Sequence, residues 1–136
     1  MNPTVMAAII TALKANATLT GLLGGEYIYP GFLSQAYHVP CLTVHETTES
    51  SVKRVGYTRY SHRDSSAVIQ VDALVSGGSP DNADAVMVEA EKTLVSDTVT
   101  NTHGWEKIGT GPPEYDDLKL AYRVMARFRF EYNLTD

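Results

Sequence analysis

Residues 118–132 read Leu-Lys-Leu-Ala-Tyr-Arg-Val-Met-Ala-Arg-Phe-Arg-Phe-Glu-Tyr. Leu118, Leu120, Tyr122, Val124, Ala126, Phe128, Phe130 and Tyr132 alternate there with Lys119, Arg123, Arg127 and Arg129. A period of two sends successive side chains to opposite faces of an extended chain. The stretch is therefore a long strand with one core face and one cationic face. A strand that is apolar on one side only fits an antiparallel sheet with one packed face.

Working outward from it, residues 66–75 alternate just as cleanly, with Ala67, Ile69, Val71, Ala73 and Val75 on one face. Pro40 opens a further strand over 41–47, a place where proline is tolerated. A fourth strand runs near Gly104–Ile108, and the turn Gly109-Thr110-Gly111-Pro112-Pro113 follows it. The helices are marked by caps and a longer period. Asn2 is a good N-cap, Pro3 suits the first helical position, and Val5, Met6, Ile9, Ile10 and Leu13 recur on one side. Asn16 ends that helix, and a short helical turn capped by Thr18 turns Leu19, Leu22 and Leu23 inward before Gly24-Gly25 stops it. Tyr27-Ile28-Tyr29 is a short extended piece broken by Pro30-Gly31. Ser79 and Pro80 start a last helix, with Asp81 and Asp84 at the positive end of its dipole and Ala83, Val86, Met87, Ala90 and Leu94 buried.

The fold class that follows is α+β. It has a mostly antiparallel sheet with strands near 40–47, 66–75, 103–109 and 118–132. Two main helices, near 3–15 and 80–96, pack on the one face that carries Ile69, Val71, Val124 and Phe128. No internal repeat occurs, and 136 residues suit a single domain spanning 1–136.

Composition narrows the function. The chain is 43% hydrophobic and 20% charged, with a mean hydropathy of −0.15, values expected of a folded soluble protein. No apolar run approaches the roughly 20 residues of a membrane-spanning helix. The opening Met1-Asn2-Pro3-Thr4 has no basic region of the secretory kind. One cysteine, Cys41, leaves no internal disulfide, so a reducing cytosol is the expected setting. A net charge of −5 disfavours a dedicated nucleic-acid binder, whose phosphate contacts need a clustered basic excess.

Motifs for chemistry are missing. His45-Glu46-Thr47-Thr48-Glu49 imitates the start of a zinc-protease signature, but the second histidine is a glutamate and the segment alternates like a surface strand with polar side chains. Gly24-Gly25 lacks the lysine of a phosphate-binding loop, and Gly77-Gly78 precedes a helix whose Asp81 and Asp84 would repel a phosphate. Cys41 lies between Pro40 and Leu42, with no base nearby, and reads as a small buried hydrophobe. Asp116-Asp117 follows a Pro-Pro turn and reads as solvated. There is no serine-nucleophile elbow. The expectation is no enzyme, no cofactor and no metal.

Two features rise above this background. The segment 50–63 carries Lys53, Arg54, Arg59 and Arg63 with Tyr57 and Tyr60 among them and no acid. Those cations leave a formal charge of −9 on the remaining residues, against −5 for the whole. Tyrosine and arginine are residues that interfaces favour, so a projecting loop or hairpin that docks on a partner is one reading. A solvated hairpin pairing with the acidic body is the other. The second feature is the cationic face of the last strand, with Arg123 and Arg127. It suits either cross-strand pairs with Asp72 and Glu106, each worth about 0.2–1 kcal/mol, or a subunit contact.

One resemblance binds these observations. The first helix, the run Ala17-Thr18-Leu19-Thr20-Gly21-Leu22-Leu23-Gly24-Gly25, then Tyr27-Ile28-Tyr29 and later Val39-Pro40-Cys41-Leu42-Thr43-Val44, resembles phage tail-completion and tail-terminator proteins. Element order agrees along the chain, while recognisable sequence is confined to residues 5–29 and 39–46. The 50–63 arm matches no motif of that family. The resemblance implies a structural virion protein without catalysis. Such proteins form a homo-oligomeric ring, often a hexamer, that caps the tail tube, ends its polymerisation and offers a head–tail joining surface. Implied partners are further copies, the tail tube protein and the head connector protein, with DNA passing through the lumen without specific binding and no membrane. The implied location is the tail or head–tail interface of the virion, and the host cytoplasm during assembly. Two alternatives stand beside it. One is a nucleic-acid-binding module using the 50–63 segment, and the other is a head–tail connector or minor tail protein.

Overall fold

The computed structural model describes residues 3–31, 38–51, 64–76, 81–96, 98–116 and 121–133. In chain order the elements are α1 (Pro3–Lys14), α2 (Ala17–Leu23), β1 (Ile28–Pro30), β2 (Cys41–Ser51), β3 (Asp64–Ser76), α3 (Asp81–Val95), β4 (Thr102–Thr110), β5 (Glu114–Asp116) and β6 (Ala121–Asn133). The strands form one six-stranded sheet in the order β1-β2-β3-β6-β4, with β5 also beside β6. Among the described residues only β1 runs parallel to its neighbour, and every other pair is antiparallel. The expected α+β class is thus the one observed.

The alternating strand found in the sequence sits at the centre. β3 and β6 pair without interruption from Asp64↔Asn133 to Ser76↔Ala121. This register puts Ile69 opposite Phe128, Val71 opposite Ala126 and Ala73 opposite Val124 on one face. All six side chains are buried and form one core with Val5, Ile9 and Leu13 of α1, Leu19 and Leu23 of α2, and Val86, Ala90 and Leu94 of α3. Burying each large apolar side chain contributes about 1.5–3 kcal/mol, so this helix-covered face is where most of the fold's stability resides.

Local differences from the sequence reading have physical causes. The cap of α2 is Asn16, not Thr18: the Asn16 side chain accepts a hydrogen bond from the Leu19 amide at 3.0 Å. Its Nδ2 also donates to Thr93 Oγ1 of α3 at 2.8 Å. One asparagine therefore satisfies a helix end and ties it to another helix, which the hydroxyl of exposed Thr18 does not do. Gly24 ends α2 with φ 78°, the left-handed conformation that only glycine adopts cheaply. β2 extends to Ser51, beyond the expected 47, and β5 was not anticipated. Residues 117–120 and the expected Ser79-Pro80 helix start lie outside the described residues, as does Gly77-Gly78.

Candidate assembly surface

All three helices pack on one side of the sheet, so the functional question falls on the other. Alternation in β2, β3 and β6 brings three cross-strand rows to this second face. They are Cys41, Leu74 and Arg123; Thr43, Asp72 and Met125; and His45, Gln70 and Arg127. The face grades from apolar to cationic. At one end Cys41, Leu74 and Ala121 are fully buried, with Tyr27, Tyr29 and Val39 packed against them. Tyr27 stacks on His38 with ring centroids 3.8 Å apart.

The middle of the face is polar. Gln70 Nε2 donates to Asp72 Oδ1 at 3.0 Å, and Arg127 Nε donates to Gln70 Oε1 at 3.3 Å. Gln70 thus relays between a carboxylate and a guanidinium, and neither charge needs to be fully desolvated to meet the other. Asp72 and Gln70 are buried, whereas Arg127 is exposed. Towards β4 the polar contacts are direct. Arg129 pairs with Glu106, and His103 Nε2 lies 3.0 Å from Glu131 Oε2.

Of the cross-strand pairs expected on the cationic face, the one with Glu106 forms, through Arg129. The one with Asp72 does not. The register sets Asp72 opposite Met125, so the arginine of the next row reaches it only through Gln70. Arg123 stands in register with Glu114 of β5. Among the described residues, neither Arg123 nor Arg127 has a carboxylate within ion-pair distance. The six arm residues Lys53, Arg54, Tyr57, Arg59, Tyr60 and Arg63 lie outside the described residues. The strands flanking them pair as far as Ser51↔Ser65.

The remaining candidates resolve as follows. Cys41 is fully buried, as expected. His45 is not the surface residue it was expected to be, because it is buried on the second face beside Gln70. Glu46, opposite Ile69, belongs to the helix-covered face, so the two cannot act on one ligand. Gln70 was missed in the sequence. Its signal was a polar residue at an outward position of an apolar strand, which says outward but not buried. A groove of about 640 Å³ lies between α1 and α3, lined by Ala8, Ala12, Ala15, Glu89 and Lys92 among others. Small apolar and hydroxyl side chains line most of it, and its two charged residues, Glu89 and Lys92, pair with each other at 3.2 Å.

Comparison with known proteins gives one kind of answer. The chain matches no family model and no curated protein. Among solved structures it is similar to a chain of the "Virion of native gene transfer agent (GTA) particle". The TM-score is 0.68 at 14% sequence identity, and the match covers 93% of this chain and 92% of that one. Identity this low shows a shared fold, from end to end.

Proposed function

We propose that this chain is a structural protein of a phage-like virion, acting as a ring that caps the tail tube. The observation that carries the reading is the end-to-end fold likeness to a chain of a gene transfer agent virion. The stretches that resemble tail-terminator proteins, 5–29 and 39–46, correspond to α1, α2, β1 and the start of β2, which supply about a third of the buried core. In this reading the chain ends tube polymerisation and offers the joining surface for the head connector. Catalysis has no part in it, and the second face of the sheet serves recognition.

The contact residues in this proposal are Arg123 and Arg127, with the 50–63 arm. Among the described residues neither Arg123 nor Arg127 has a carboxylate within ion-pair distance, so an acidic surface on another subunit or on the tube gains an attraction there without breaking an ion pair. The arm's tyrosines would add buried area. The excess acid of the remaining chain lets DNA pass without adhering, since like charges repel.

Light scattering coupled to size-exclusion chromatography tests the reading. A species near six times 14.9 kDa is expected. A monomer that retards duplex DNA would favour the nucleic-acid-binding alternative instead.

A further inference from the structure

Helix α3 carries a second apolar stripe besides the one that meets the sheet. Val86, Ala90 and Leu94 are buried in the core. Ala85, Val88, Lys92 and Val95 lie on the outward side and are exposed. Val88 is 50% exposed and Val95 43%. The four residues are spaced by three, four and three positions, which lines them up along one seam. Two helices pack side by side through such seams. A single exposed valine is ordinary, but two on one seam with an alanine make a ridge. Beside the ridge runs the groove between α1 and α3, to which α1 contributes only Ala8, Thr11, Ala12, Ala15 and the adjoining Asn16. Those small side chains leave room for a second helix close to α3.

We propose that a second copy of this chain covers the ridge, with the two α3 helices antiparallel about a two-fold axis at Val88. The seam is complementary to its own reverse. Centred on Val88, antiparallel alignment sets each Val88 against its twin and each Lys92 across from Ala85, with Asp84 alongside. The small Ala85 accommodates the lysine stem, and the ammonium reaches the Asp84 carboxylate. The two-fold axis makes this contact twice. Parallel alignment would set Lys92 against Lys92 and Asp84 against Asp84, so charge selects the antiparallel pair. Lys92 keeps its contact with Glu89 at 3.2 Å, since an ammonium has three donors. One helix pair covers less than the roughly 1,200 Å² of a stable interface, so the contact forms where chains are concentrated. It closes on two copies and is separate from the heterologous contacts between neighbours around a ring.

Disulfide cross-linking of the full chain tests the proposal. The native Cys41 is fully buried and does not compete. In Val88→Cys the two sulfurs meet at the axis. In Val95→Cys they lie about 21 Å apart along the helices, too far for a disulfide. The two sites are similarly exposed, so random collision would link both equally. Val88→Cys should form the linked dimer about tenfold faster, or more, than Val95→Cys. Equal rates, a faster rate at position 95, or no dimer from either variant overturns the proposal. The second arm reads the charges in the Val88→Cys chain, with variants shown to be folded by circular dichroism. Asp84→Lys should slow cross-linking by about threefold or more, and adding Lys92→Glu should restore it. Cross-linking that ignores Asp84→Lys, or stays slow after the exchange, overturns the proposal. Each of these failures leaves the ring reading intact.

Discussion

Trp105 of β4 lies flat against Phe130 of β6, with ring centroids 4.2 Å apart and planes inclined by 12°. Its indole N–H donates to Thr102 Oγ1 at 2.7 Å, and that hydroxyl in turn donates to the Val99 carbonyl at 2.8 Å. Trp105 is the one buried side chain of β4, so it ties the strand to the apolar core beside the backbone ladder with β6. Trp105→Ala should cost about 3 kcal/mol in urea denaturation followed by circular dichroism, and Trp105→Phe about 1 kcal/mol. Equal costs would mean that the stack contributes little.

Asn16 joins three helices at one point. Asn16→Ala should cost about 1–2 kcal/mol, since it removes a cap and leaves Thr93 Oγ1 without that donor. Thr18→Ala should stay within about 0.5 kcal/mol in the same thermal melts, because exposed Thr18 caps nothing.

Phe128 and Arg127 are neighbours in sequence and opposites in environment. Phe128 is fully buried in the helix-covered core, and Arg127 is exposed on the second face. Phe128→Ala should cost about 3–5 kcal/mol, and Arg127→Ala less than about 1 kcal/mol, in denaturant titrations. Comparable losses would mean that the assignment of faces is wrong.

If Arg123 and Arg127 serve assembly, changing both to serine should leave the melting temperature nearly unchanged and weaken self-association. The difference from the wild type should be largest at low ionic strength and narrow as salt rises, because salt screens the attraction that these arginines supply. Replacing Lys53, Arg54, Arg59 and Arg63 by serine should act in the same direction. Light scattering from about 50 to 500 mM salt reads both variants. Association unaffected at any salt would remove these residues from the interface.

The fold was legible where one physical rule governed a whole element. Ala67 to Val75 and Tyr122 to Tyr132 obey a period of two because one face meets the helices, and the central register follows from that. Asn16 was misread as a mere terminus because its second role depends on Thr93, far away in sequence. β5 escaped notice because its three residues are too short for a period and follow two prolines. The second face was legible as polar, yet not as a network. Pairing Asp72 with an arginine assumed that opposite charges meet directly, whereas the register offers Met125 and leaves Gln70 to connect them. His45 was taken as exposed because a polar residue on an outward position usually is.

The central claim, that this chain caps a tail tube, is tested most directly by electron microscopy of particles assembled with and without it. Without the chain, tail tubes of uncontrolled length and heads lacking tails are expected, and supplying it should restore joined particles with tails of one length. Joined particles with tails of normal length in its absence would contradict the account.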